Sequence, residues 1–361
     1  MKVLVVSTWF PSASAPASGV FVRRDVELLR RTHEVDVLHL HPPGAVGPAD
    51  AAPGVRRLAM SPSNPLDVLR ASRALRAGIR RYDLVHTMSP SALLPFAPLR
   101  VRVPWVHTEH WSALLDTSTV GLPARLGLRA ALRLMRRPDV VVAVSRALAD
   151  HLAVRLGRAV RVVANAVDGP EHPTPRARPG GPLRLVAVGG LIPRKGPTVA
   201  VEAVAELRRR GHDARLAWVG EGPQGPEVAA LAERLGVADA VELVGGLAPE
   251  GVLDALAASD VFILPTSVET FGVSIAEALL SGRPVVVGAE GGQRDFVREP
   301  DGVLVRERTG PAYADAVERS LELTRDRSAE KIAAPLRERF GPQARAAAYR
   351  AVYAEAMRAH G

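Results

Sequence analysis

The feature that most constrains this chain is a rhythm of short β-branched runs, each followed by a helical stretch. KVLVVST (2–8), VDVLHL (35–40), DLVHTM (83–88), WVHTEH (105–110), VVVAVS (140–145) and VRVVAN (160–165) are the first set. Short β-branched runs of this kind read as buried parallel strands. Helical stretches such as 19–32 and 146–156 separate them. The segment GPEHPTPRARPGG (169–181) has no period and reads as a linker. The rhythm then restarts with LRLVAVGG (183–190), ARLAWVG (214–220), VELVG (241–245), VFILP (261–265), PVVVG (284–288) and GVLV (302–305). The expected fold class is α/β, two doubly wound parallel-sheet domains facing across a cleft. The expected boundaries are 1–168, a linker at 169–181, a second domain over 182–340 and a C-terminal helix over 341–361 that returns toward the first domain. In such sheets ligands bind beyond the carboxyl ends of the strands, so residues just after each strand are the candidates.

The length of 361 residues agrees with two domains, and 47% apolar residues supply two cores. With no cysteine, disulfides, zinc–thiolate sites and a cysteine nucleophile are excluded. The opening MKVLVVSTWFPSASA imitates a secretory leader, but Ser7 and Thr8 cut its apolar run short of the ~7–15 residues a leader core needs. No window approaches the ~18 apolar residues of a membrane span. A cytoplasmic protein is expected. Residues 1–180 carry 25 Lys and Arg against 13 Asp and Glu, whereas the remainder carries 22 against 25. A basic first half suits an anionic partner.

Three stretches bear on chemistry. Gly220, Gly222 and Gly225 in VGEGPQG fit the dinucleotide fingerprint, but they follow the second strand of their domain, and Pro223 and Pro226 remove amide donors. Nicotinamide dinucleotide binding is therefore not expected. GGLIPRKGP (189–197) follows the first strand of the second domain. Arg194 and Lys195 there suit phosphate oxygens, one as a planar fork and one as a point charge. A solvated basic loop is the competing reading. ETFGVSIAE (269–277) follows VFILP, with Glu269 on the loop, Gly272 permitting close backbone approach, and a helix start whose free amides suit a diphosphate. Glu277 lies about one turn inside that helix, where a carboxylate can accept from two neighbouring hydroxyls. An acid satisfying the helix dipole explains Glu277 as well. It does not explain Glu269, the glycine and the strand end together.

ETFGVSIAEALLSGRPVVVG followed by GGQRDFV resembles the E-x7-E region of the family 4 glycosyltransferases, which have the GT-B fold. GGLIPRKGPTVAVEAVAEL, WVGEGP, VELVGGLAPEGVLDALAASDVFILP, VVANAVD and WFPSASAPASGVFVRRDVELL are similar to that family in the same order. The resemblance implies two Rossmann-like domains, an acceptor-side one and a nucleotide-sugar-binding one, and retaining transfer without a metal or other cofactor. It implies that Glu269 holds hydroxyls of the donor sugar, Glu277 the ribose diol, and Arg194 and Lys195 the diphosphate. Backbone amides near Phe271, Gly272 and Val273 would contact sugar and phosphate, Leu247 would lie by the base, and Gly19 would bring amides to the phosphate. His110 would stand at the family's active-site histidine. His107 is the alternative, on the opposite face of the strand by alternation. Ala166 replaces the usual glycine of Asn-Gly-Val-Asp, and Asp295 the usual glutamate after Gly-Gly.

The implied acceptor is a lipid-linked glycan, an envelope precursor or a small metabolite. A nucleotide-sugar epimerase of the same fold and a non-catalytic partner of another transferase are the alternatives. The segment 124–138, with Arg125, Arg129, Arg133, Arg136 and Arg137 among leucines, reads either as a basic amphipathic helix on the inner face of an anionic membrane or as an ordinary helix with its arginines in water. No nucleic-acid-binding module is recognisable.

Overall fold

The computed structural model describes residues 1–15, 18–47, 50–116, 122–176 and 180–361. Two compact units emerge, Met1–Ala166 together with Pro342–Gly361, and Val167–Gly341.

The first unit begins with β1 (Lys2–Ser7), α1 (Val20–Arg30), β2 (Glu34–His41), β3 (Val55–Ala59) and α2 (Pro65–Gly78). It continues through β4 (Leu84–Met88), β5 (Trp105–Glu109), α3 (Leu122–Leu134), β6 (Val140–Ala143), α4 (Arg146–Leu156) and β7 (Arg161–Val162). All its strands are parallel, in the order β3-β2-β1-β4-β5-β6-β7. The second unit opens with β8 (Leu183–Val188), α5 (Pro197–Arg209), β9 (Ala214–Val219), α6 (Gly225–Arg234), β10 (Val241–Gly245) and α7 (Pro249–Ala257). After these come β11 (Val261–Leu264), α8 (Val273–Leu280), β12 (Val285–Gly288), β13 (Gly302–Val305), α9 (Gly310–Leu323) and α10 (Ala329–Phe340). Its parallel sheet has the order β10-β9-β8-β11-β12-β13. The strand order therefore reverses between β1 and β4 in one unit and between β8 and β11 in the other. These are the places where open α/β sheets leave a crevice.

Local chemistry sets the helix boundaries. Asn64, Ser145, Thr309 and Ser328 cap α2, α4, α9 and α10 with side-chain oxygens, and Gly157 ends α4 in the left-handed conformation. The last helix, α11 (Pro342–His360), belongs to the first unit. Its Tyr349, Val352, Tyr353 and Ala356 join Val3, Val5, Val22, Val26 and Val106 in one buried cluster.

The segment expected as a linker is held against the second unit. Arg337 donates to Pro170 O, Arg283 to Thr174 O at 2.5 Å, and Arg176 to Thr324 Oγ1 at 3.0 Å. Residues 177–179 of that segment lie outside the described residues. In the basic stretch 124–138, Leu128, Ala131 and Met135 are buried. Arg137 donates to the carbonyls of Phe96, Ala97 and Leu99, and Arg136 to that of Arg155. The side chains of Arg125 and Leu126 lie outside the described residues.

Candidate active site

Glu269 stands on the loop after β11, and Arg194 and Lys195 on the loop after β8, so all three meet where the strand order reverses. One carboxylate oxygen, Oε1, accepts from Lys195 Nζ at 2.6 Å, Thr266 Oγ1 at 2.8 Å and Arg194 Nη1 at 3.2 Å. Burial raises the carboxyl pKa. The Lys195 and Arg194 charges, with the hydrogen bonds from Lys195 and Thr266, outweigh it and hold the group below its ordinary value. Two cations around one carboxylate leave a net positive charge.

The two loops are tied together. Ser267 N donates to Arg194 O at 2.8 Å. Arg308, just after β13, donates to Pro265 O at 2.6 Å, to Arg194 O at 3.2 Å and to Pro193 O. Gly196 precedes α5 at φ 71, and a Cβ there would lie 2.3 Å from Pro265 O. Sequence reading missed Arg308 because its partners are carbonyls far along the chain.

The Gly-Gly loop supports Glu269 from the other side. Gly292 N donates to Glu269 O at 2.7 Å, and a Cβ on Gly291 would stand 2.1 Å from that oxygen. Gln293 is fully buried and donates to Gly288 O and Glu290 O. Gly272 caps α8 at φ 92. The Phe271 ring packs with Phe296 and Phe340 at centroid distances of 5.1 and 5.4 Å, which leaves its backbone as the part open to chemistry. Val273 opens α8, and Glu277 lies half-buried on the same helix. Leu247 is exposed on the loop between β10 and α7.

The glycines of VGEGPQG have a packing role. A Cβ on Gly220 would lie 2.2 Å from Gly189 O, and one on Gly222 would lie 2.4 Å from Leu191 O. They let the loop that leads into Arg194 and Lys195 pass directly over the end of β9.

In the first unit, Gly19 caps α1 at φ 67, and a Cβ would meet the Trp9 carbonyl carbon at 2.3 Å. His110 follows β5 immediately and is 9% exposed. Its Nδ1 lies 2.9 Å from Asn165 Oδ1, and its ring lies 4.6 Å from that of Phe21. The amide oxygen accepts, so Nδ1 carries the proton and Nε2 keeps a lone pair that finds no hydrogen-bond partner among the described residues. Burial lowers its pKa to about 3 against the raising effect of the Asn165 bond, so the ring is neutral at physiological pH. His107 is different: it is fully buried within β5, with Nδ1 3.0 Å from Thr87 Oγ1 and Nε2 3.4 Å from Glu109 Oε2. Glu109 in turn accepts from the amides of His110 and Trp111 at 2.8 and 2.7 Å, which fixes the strand end.

Ser89 was not legible in the sequence. It follows β4 at the reversal point, fully buried, with φ 88 and ψ 148. For a residue with a Cβ such a backbone costs about 1–3 kcal/mol and gathers at functional sites. Its Oγ is 2.7 Å from Thr8 Oγ1, which also meets Ser91 Oγ at 2.6 Å.

Comparison with known proteins identifies the family. A family model described as Glycosyl transferases group 1 matches residues 182–322, and one described as Glycosyltransferase Family 4 matches 25–169. A GDP-mannose-dependent alpha-(1-6)-phosphatidylinositol monomannoside mannosyltransferase of Mycobacterium tuberculosis is 36% identical over 161 residues, 42% of either chain. A D-inositol 3-phosphate glycosyltransferase of Xylanimonas cellulosilytica is 31% identical over 92% of this chain and 89% of its own. The chain spans about half the length of the first curated relatives it matches, from 40% to 57%. The fold matches sucrose-phosphate synthase of Thermosynechococcus elongatus with a TM-score of 0.81 at 21% identity over 98% of both chains. With both family models matched in order and one relative aligned over nearly its whole length, the chain belongs to the family 4 glycosyltransferases, of GT-B fold.

Proposed function

We propose that the protein is a retaining glycosyltransferase that moves a sugar from a nucleoside-diphosphate sugar to a hydroxyl acceptor. The observation that carries this reading is the Glu269 carboxylate, clamped by Lys195, Arg194 and Thr266 at the β8/β11 reversal. Departure of a nucleoside diphosphate needs positive charge where negative charge develops, and a site with two cations and the start of α8 supplies it without a metal. Arg194 and Lys195 take the diphosphate, Glu269 the hydroxyls of the sugar, and Glu277 the ribose diol. Amides of Phe271, Gly272 and Val273, with those near Gly19, complete the donor contacts, and Leu247 lies by the base. His110 offers a neutral ring beside the reacting sugar. Retention follows from attack on the face the leaving group vacates, with the departing phosphate taking the acceptor's proton.

The relatives' names support a nucleotide-sugar donor and acceptors that are polyols or lipid-linked glycans. Work in the cytoplasm, at the inner membrane face where the acceptor is lipid-linked, accords with such acceptors. No described helix is long and apolar enough to cross a membrane.

The test is thermal unfolding with UDP, GDP, dTDP and ADP in parallel. A ligand at a hundredfold excess over its dissociation constant adds about 2.7 kcal/mol. Stabilisation by one of the four, lost in Lys195→Ala and Glu277→Ala, supports the donor site. If none stabilises the protein, the donor site as assigned is wrong. Transfer from the matching donor, with the product's anomeric configuration read by NMR, then decides retention.

A further inference from the structure

An open surface cavity of about 560 Å3 lies in the first unit, lined by the exposed Arg76, Arg80, Arg100 and Arg102 with Ile79 and Leu99. It sits beyond the amino-terminal ends of β4 and β5, because Arg80 precedes Leu84 and Arg102 precedes Trp105. His110 follows the opposite end of β5, roughly 15 Å away along the strand. The cavity is therefore not the site described above.

The lining bears on what the cavity binds. None of the four arginines has a hydrogen bond or ion pair among the described residues. Carboxylates at this end of the sheet are engaged elsewhere: Asp83 accepts from Lys2 N at 2.7 Å and Asp139 from Trp105 N at 2.8 Å. Arg76 and Arg80 sit at the carboxyl end of α2, where cations complement the helix dipole. Arg100 and Arg102 follow the short 3-10 helix Pro90–Phe96, whose end carbonyls at Phe96 and Ala97 already accept from Arg137. Finally, Ile79 and Leu99 are buried and give the cavity an apolar floor.

We propose that this cavity binds a phosphate ester, with the guanidinium forks on its oxygens and its carbon skeleton against Ile79 and Leu99. The ester is either the headgroup of an anionic lipid or a free phosphorylated metabolite. The same helix exposes Leu66 and Leu69, which are 70% and 45% accessible and bear only on the lipid case.

Calorimetric titration with glycerol 3-phosphate and with dihexanoyl phosphatidic acid below its micellar concentration tests this, beside flotation on phosphatidylglycerol and phosphatidylcholine vesicles. Arg100→Gln/Arg102→Gln and Arg76→Gln/Arg80→Gln should each weaken binding at least tenfold with an unchanged melting temperature. Arg31→Gln/Arg73→Gln, which removes the same charge from exposed positions outside the cavity, should leave it intact. Saturable glycerol 3-phosphate binding identifies a free metabolite. Saturable binding of the short-chain lipid alone, with flotation on phosphatidylglycerol weakened in Leu66→Ser/Leu69→Ser, identifies a headgroup. The proposal is overturned if no probe binds saturably, or if the control pair weakens binding as much as the cavity pairs do.

Discussion

Lys195 Nζ stands 2.6 Å from Glu269 Oε1, across two loops whose residues are 74 apart in sequence. Both side chains are largely buried, so each is the other's main compensation for leaving water. Lys195→Met removes the shorter of the two ion pairs but leaves Arg194 and Thr266 on the carboxylate, and should destabilise the protein by about 1.5–3 kcal/mol at neutral pH. Glu269 has a lowered pKa, so its contribution is present above the ordinary carboxylate range and is lost as pH falls through the folded value. The gap between wild type and Lys195→Met should therefore narrow on acidification. Urea unfolding at pH 7 and pH 4 measures it, and a gap that widens at pH 4 contradicts the pairing.

His110, like Glu269, contributes stability that is lost on acidification. Its pKa, lowered to about 3 by burial, means the unfolded chain takes up a proton that the native ring refuses. Stability from this group is full above the ordinary histidine value and falls by about 1.4 kcal/mol per pH unit between that value and the folded one. His86, buried between Tyr353 and Thr108, shifts the same way. His110→Asn should flatten the loss of stability between pH 6.5 and 4.5, as read by urea midpoints. Asn165→Ala frees the Nδ1 side of the ring and should lower kcat with little change in the donor KM, whereas a purely structural Asn165 would move only the melting temperature.

Most strands were legible because they are local, whereas VRVVAN (160–165), read as a buried strand, pairs only over Arg161–Val162 at the sheet edge, with both residues exposed. VVVAVS and VFILP are apolar runs, and they fold as β6 and β11. Strand β3, VRRLA, was not read, because its two arginines break the run and an edge strand needs only one buried face. In the site, Glu269 and Lys195 stood out by their places after strands. Arg308, Gly291 and Asn165 did not, since each acts on a backbone or ring brought close only by the fold. That the linker 169–181 is held by Arg283 and Arg337 was not legible for the same reason, since both lie more than a hundred residues away.

Ser89 separates strain from hydrogen bonding. Ser89→Ala and Ser89→Gly both remove the hydroxyl that meets Thr8, but only glycine adopts φ 88 and ψ 148 without strain. Ser89→Gly should exceed Ser89→Ala in stability by about 1–3 kcal/mol. If strain at this position serves catalysis, the more stable glycine variant is also the slower enzyme. Unfolding and turnover measured on the same preparations check both halves.

Asp25 on α1 and Arg345 on α11 form a buried pair that holds α11 to the first unit, with Tyr349 donating to the second carboxylate oxygen at 2.9 Å. Burial raises the Asp25 pKa to about 6 despite the lowering effects of Arg345 and Tyr349. A raised carboxyl pKa contributes stability that is present below the ordinary carboxylate range and lost as pH rises through about 6. Arg345→Ala leaves the carboxyl in the core without its cation, and should cost about 3–5 kcal/mol at pH 7.5. Without the lowering effect of Arg345 the carboxyl pKa rises above its wild-type value, so the stranded group takes up a proton as pH falls toward 6 and the cost should shrink over that range. The Arg345 and Lys195 variants thus both recover on acidification, but over different ranges: the first as pH falls toward about 6, the second as pH falls toward the lowered wild-type value of Glu269. Urea midpoints taken every half unit from pH 7.5 to 4 resolve the two. A cost for Arg345→Ala that stays flat from pH 7.5 down to 6 would mean that Asp25 keeps its charge in the variant, and that water or Tyr349 alone can solvate it.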